Sequence, residues 1–227
     1  MIEIAAPPTE TVDVELIPER VLLGERDTAP VRRLGLGRPI VVPLTPEQCR
    51  EAAPTLAGLD GNGDVRYCIL QLDVSFYPAD GEPHVRGAVG VALVGRQPGT
   101  SAVARALSPL RVASPIRRST TFGLTLSLGF VEPGFERGIE AEHEEVFVIA
   151  QGEGESDPEW RFTRTKRWQL EGVQTLRMVV EMPHGAEVDA LVAVSSTINR
   201  KKFGLISYRA DLPSELSVVP LDPARRA

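Results

Sequence analysis

The stretch from Glu187 to Ile198 narrows most what this chain can become. Its even positions are Val188, Ala190, Val192, Val194, Ser196 and Ile198, and its odd positions are Glu187, Asp189, Leu191, Ala193, Ser195 and Thr197. Successive side chains of a strand point to opposite faces, so the even set makes one continuous apolar face. The odd face is polar at its ends and apolar in its middle, as on a surface partly covered. Val, Ile and Thr recur here, and β-branched residues suit a pleated, half-buried surface.

The whole segment from Trp160 to Leu212 reads the same way. WRFTRTKRWQL, VQTLRMVVEM, EVDALVAVSSTI and FGLISYRADL are strand-like pieces, with Pro183-His184-Gly185 and Asn199-Arg200-Lys201-Lys202 supplying turns between the later ones. Parallel neighbours need crossovers of a dozen or more residues. None fits here, so the spacing predicts an antiparallel meander.

The first half adds strands at Thr11–Leu16, Pro39–Leu44, Arg66–Phe76 and His84–Val94, the last two read as a hairpin across YPADGEP. Pro18–Arg38 reads as a long loop with one strand at Arg20–Leu23. Thr45 as N-cap, Pro46 at the first helical position and Gln48 completing a Thr-x-x-Gln box predict a short helix over Thr45–Ala53, ended by Pro54. Ser101–Leu107 reads as one helical turn. Leu110–Ile116, Thr121–Phe130 and Glu145–Ala150 read as extended. The expected fold is all-β: an antiparallel β-sandwich of about nine or ten strands with one short helix. Residues 1–11 form a flexible arm, 12–212 a single domain and 213–227 a fraying tail.

A chain of 227 residues buries a real core without disulfides or metals. Aromatics are 5% of it, so that core leans on Val, Leu, Ile and Ala. The two cysteines, Cys49 and Cys68, fit neither a disulfide framework nor a zinc site. Cys68 falls on the apolar face of its strand, as a buried free thiol. A net charge of −6 argues against nucleic acid as partner. MIEIAAPPTETVDVEL has no basic and apolar leader pattern, and no apolar run approaches the ~18 residues of a membrane helix, so cytoplasmic residence and no membrane partner are expected.

Asp60, Asn62 and Asp64 place oxygens at alternating positions, as a calcium loop does. The pattern then breaks, with Val65 where glycine belongs and Gln71 where glutamate belongs. His84 and His184 fall at a strand start and in a turn, where solvation is expected, and His143 lies among carboxylates at Glu140–Glu145. Ser127 and Ser195 sit mid-strand without a nucleophile elbow. No catalytic residue and no cofactor emerges.

The charge layout does stand out. Glu132–Glu159 holds ten acidic residues against Arg137 alone. Basic residues then cluster, and Trp160, Arg161, Arg164, Lys166, Arg167, Trp168, Arg200, Lys201 and Lys202 form a candidate interface of aromatic anchors and cations. The two tryptophans fit a core cap equally well. The leading expectation is a non-enzymatic binding or assembly protein whose partner is another protein or a second copy. A small-ligand or divalent-metal-binding β-sandwich and a hydrolase with an unrecognised site are the alternatives. The alternation of Thr121–Phe130 and Ala190–Ile198 also fits strands lining a pore.

Overall fold

The computed structural model describes residues 11–19, 31–45, 47–49, 64–113, 145–201 and 203–222. They form thirteen strands: β1 (Thr11–Pro18), β2 (Val31–Gly37), β3 (Ile40–Pro43), β4 (Val65–Phe76), β5 (His84–Gly95), β6 (Val103–Ser108), β7 (Arg111–Ala113), β8 (Val146–Gln151), β9 (Glu159–Thr163), β10 (Gly172–Pro183), β11 (Val188–Arg200), β12 (Gly204–Asp211) and β13 (Val218–Pro220). Eleven of them follow one path, β6-β10-β4-β2-β1-β12-β11-β5-β9-β8-β7, with β3 added to β4 and β13 to β11. All strand ladders are antiparallel.

The two ends of this path, β6 and β7, are neighbours in the chain, joined by the cis peptide Ser108–Pro109 and Leu110. The sheet is therefore a nearly closed barrel of eleven strands, not a sandwich of nine or ten. One-sided alternation fixes which face of each strand is buried. It does not say whether those faces meet across two sheets or around one.

Closure uses a loop. Residues 152–158, between β8 and β9, lie between β5 and β6. Val91 N–H donates to Pro158 O (2.9 Å) and Leu93 N–H to Ser156 O (2.7 Å) on one side. Ala104 N–H donates to Glu155 O (2.9 Å) and Gly154 N–H to Ala104 O (2.7 Å) on the other. The Glu153 carboxylate accepts from Leu107 N–H at 3.1 Å. Part of the acidic stretch is thus a seam of the barrel. Gly152 turns into it at φ +91°, and a Cβ there would stand 2.8 Å from Pro158 Cα. Gly152→Ala combines left-handed strain with a backbone clash and is expected to cost about 2–4 kcal/mol in urea unfolding. A loss below about 0.5 kcal/mol, within the range of ordinary surface changes, would show that the seam is not part of the cooperative core.

The interior is apolar. The six even positions of β11 from Val188 to Ile198 are buried, as their alternation requires, and so are Cys68, Leu70, Leu72, Val74 and Phe76 of β4. Trp160, Phe76 and Phe162 are among the largest fully buried side chains, with the two phenylalanine rings 5.6 Å apart. Each such burial contributes roughly 1.5–3 kcal/mol. Charged side chains line the outside. That polarity is the reverse of strands lining a pore, whose apolar band faces outward.

Several expectations change. β4 and β5 do not form a hairpin: β4 pairs over its whole length with β10, from Gly172↔Phe76 to Pro183↔Val65, and β5 pairs with β11 and β9. Nor is Trp160–Leu212 a meander. Among β9 to β12, only β11 and β12 are ladder partners. Ser101–Leu107 is mainly strand β6 rather than a helical turn. The supposed loop before Arg38 contains β2, whose Leu34 and Leu36 are fully buried. Its glycines hid it. Gly35 lies under Tyr77, whose hydroxyl would be 3.0 Å from a Cβ at that position. The tail does not fray at Pro213. A helical turn, Ser214–Ser217, leads into β13, and Leu216, Val219 and Leu221 are buried.

The capping box at Thr45 is formed. Thr45 N–H donates to Gln48 Oε1 (2.8 Å) and Gln48 N–H to Thr45 Oγ1 (3.3 Å), with residues 47–49 helical. The rest of that helix, Arg20–Leu23 and Thr121–Phe130 lie outside the described residues.

The second face of β4 is also buried. Tyr67, Gln71, Asp73 and Ser75, which alternate with the apolar set of that strand, are 6% exposed or less. Tyr67, Gln71 and Asp73 are held by a polar ladder. Tyr67 donates to Glu181 (2.9 Å), Arg105 grips the same carboxylate (2.6 and 2.7 Å), Arg177 donates to Gln71 (2.8 Å) and Thr175 to Asp73 (2.7 Å). Burial and the bond to Glu181 push the Tyr67 phenol up to about 12.

Candidate functional site

β9 leaves the sheet at Thr163 and the chain folds into a tight turn. Thr165 N–H donates to Trp168 O (2.9 Å), and Trp168 N–H to Thr165 Oγ1 (3.0 Å). Lys166 and Arg167 stand exposed at its tip. Trp168 is half-buried, packed edge-on against Phe147 with ring centroids 5.1 Å apart. The turn borders an open groove of about 570 Å³ whose walls include Glu145, Thr163, Arg164, Lys166 and Gln169. Glu145 accepts from Lys166 N–H at 3.0 Å and so helps hold the turn.

A second groove, of about 450 Å³, adjoins at Thr163 and crosses the outer face of β9, β5 and β11. The register explains it. Arg161, Ala88, Ser195 and Arg209 form one row across β9, β5, β11 and β12, and Thr163, Arg86, Thr197 and Ser207 form the next. Below them come Glu159, Gly90 and Ala193. Small side chains at Ala88, Gly90 and Ala193 leave a trough between longer ones.

Six of the described arginines are held by carboxylates: Arg32 by Glu15, Arg33 and Arg200 by Glu82, Arg96 by Asp189, Arg105 by Glu181 and Arg161 by Glu159. Arg86 and Arg164 have no such partner among the described residues and line these grooves, while Arg209, also without one, stands opposite Ser195 on the next strand.

The residues singled out from the sequence separate into groups. Arg161, Arg164 and Lys166 come together along the grooves, with Arg167 beside them at the tip. Trp160 is fully buried in the barrel interior, where it offers a partner nothing. Arg200 and Lys201 belong to a clamp at the far end of β11. Glu82 takes Arg33 at 2.6 Å, Arg200 at 3.3 Å and Lys201 N–H at 3.2 Å. These contacts, Arg33 foremost, hold its carboxyl below the usual range. Lys202, Asp60 and Asn62 lie outside the described residues. Asp64 is exposed, and its carbonyl accepts from His184 N–H at 2.8 Å. No group of three metal-ligating side chains occurs among the described residues. Cys68 and Cys49 are buried and not joined by a disulfide.

His84 departs furthest from expectation. It is not solvated but fully buried, 5.4 Å from the Phe76 ring. Its Nδ1 lies 2.7 Å from Ser196 Oγ, which donates to Arg86 O at 3.0 Å. A hydroxyl has one proton, so Ser196 accepts from Nδ1–H, and Nε2 carries the lone pair. Burial lowers the imidazole to about 4. A histidine beside a serine invites a hydrolase reading, but a nucleophile must pass its proton to the imidazole. Here the proton goes to a backbone carbonyl and the serine is 3% exposed. The pair braces β5 against β11.

No family model matches the chain, and no curated protein matches it. Arg86 and Arg209 do not stand out in the sequence because each is a lone cation within its strand. The available signal was the outward series Arg86, Ala88, Gly90, Ala92: one charge followed by residues too small to cover the sheet.

Proposed function

We propose that this protein is a non-enzymatic binding or assembly protein that receives an acidic segment of a protein partner in the groove beside the Thr165–Trp168 turn. The observation that carries this reading is Arg164, a guanidinium with no carboxylate partner among the described residues, set in a groove wall beside Lys166. Unpaired cations on a shaped surface steer an acidic partner and fix its orientation. The run Glu132–Glu145 of this chain has the matching chemistry, which makes a second copy the first partner to test.

Native mass spectrometry of the full chain at low and moderate ionic strength is the direct test, with titration of a synthetic peptide spanning Glu132–Glu145. A salt-sensitive dimer or peptide complex is expected, weakened about tenfold or more in Arg164→Glu/Lys166→Glu, since exposed charges are screened beyond ~10 Å at 0.1 M salt. A monomer at every salt concentration that also ignores the peptide would overturn the proposal.

A further inference from the structure

The groove across β9, β5 and β11 differs in chemistry from the one beside the turn. Its floor is Ala88, and around that methyl group stand Arg86, Arg161, Thr163, Ser195 and Thr197. No carboxylate of the described residues lines it. Directly opposed residues on neighbouring strands lie about 4.5–5.5 Å apart at Cβ, so Arg86 is flanked closely by Thr163 on one side and Thr197 on the other. Arg161 is held aside by Glu159 at 2.6 Å. Arg86 is not, and the hydroxyls of Thr163 and Ser195 make no bond within the described residues. Thr197 spends its hydroxyl on Ser207 at 3.3 Å.

We infer that the cup over Ala88 is an oxyanion site that takes a phosphoryl or sulfuryl group of a small molecule, with Arg86 as its anchor. A single guanidinium fork satisfies the two oxygens of a carboxylate. Here donors stand on three sides, which suits a tetrahedral group with three free oxygens. The groove's volume lies within the ~300–1,000 Å³ of small-molecule clefts, so it also has room for what the group is attached to. The remainder of such a ligand lies along Ala88, Gly90 and Ala193, where the sheet is bare. No described residue stands within 4 Å of a Cβ at Gly90.

The test is isothermal titration of the full chain at low salt with inorganic phosphate, sulfate, phenyl phosphate and benzoate. Phenyl phosphate is expected to bind at least tenfold tighter than benzoate. Phenyl phosphate tighter than inorganic phosphate identifies an organic phosphoester as the ligand, and equal affinity identifies the free ion; both support the site. Arg86→Gln should weaken binding about tenfold, Arg86→Lys less, and Ala88→Leu should abolish it by filling the floor. Arg164→Gln should leave it unchanged, which separates this site from the protein-binding groove. Equal binding of benzoate and phenyl phosphate, no binding at millimolar concentration, or equal loss in Arg164→Gln would each overturn it. Thermal melts of the variants guard against misfolding, and Arg86 is exposed.

Discussion

Trp160→Ala is expected to destabilise the protein by about 3–5 kcal/mol, enough to unfold a domain of ordinary stability at moderate temperature. The side chain is fully buried on β9, opposite Val89 of β5 and Ala150 of β8, and its removal opens a cavity between two ladders that cannot easily collapse. The indole N–H adds a second expectation. It is buried and has no hydrogen-bond partner among the described residues. An orphan donor costs about 1–3 kcal/mol, so Trp160→Phe removes a penalty while giving up some volume, and should cost no more than about 1.5 kcal/mol. Urea unfolding of both variants measures the difference. Equal losses in the two would mean that the indole nitrogen contributes nothing, and a trivial loss in the alanine variant would contradict a packed interior at β9.

The second large effect is a pH dependence. The His84 imidazole titrates at about 4 in the folded protein, against 6.5 ordinarily, because burial disfavours its charged form. The unfolded chain therefore gains a proton as pH falls through 6.5, and the native state does not until about 4. Stability is full above pH 6.5 and declines as pH drops, losing roughly 3 kcal/mol across that window. Glu82 and Glu181, held low by Arg33 and Arg105, act in the lower range. Their stabilisation is present above the unfolded carboxylate value of 4.5 and is lost below it. Among the described residues, the interval from about pH 6.5 to 5 is thus the histidine's own. His84→Asn is expected to be less stable at pH 7.5 but to show a flatter profile down to pH 5, because the group that takes up the proton on unfolding is gone. An unchanged slope in denaturant unfolding would place the acid sensitivity elsewhere.

What the sequence disclosed follows from what alternation encodes. The inward faces of β4 and β11 were legible residue by residue, as was the box formed by Thr45 and Gln48. Strand partners were not legible. Periodicity says which side of β10 is buried, but nothing local tells Leu176 that it lies opposite Leu72. Short turns suggested neighbours, and only the turn between β11 and β12 joins ladder partners within Trp160–Leu212. β2 was missed because its glycines read as punctuation, whereas Gly35 makes room for Tyr77. His84 was placed in solvent because it opens a strand, and opening a strand does not exclude being inside a barrel. The basic turn was visible as composition. The oxyanion cup was not, since its residues come from three strands and meet only through register.

The pairing of β1 with β12, Glu15 opposite Asp211, has a temporal meaning. At ~5–20 residues per second, about 10–40 s separate the emergence of the first partner from that of the last. Throughout that interval β1 waits with an unpaired edge, and β4 waits for β10 until Gly172–Pro183 has emerged. Nascent barrels of this connectivity hold sticky, strand-competent segments exposed for as long as translation lasts, so a slowly translated or truncated chain is the form in which this protein would aggregate or need a chaperone.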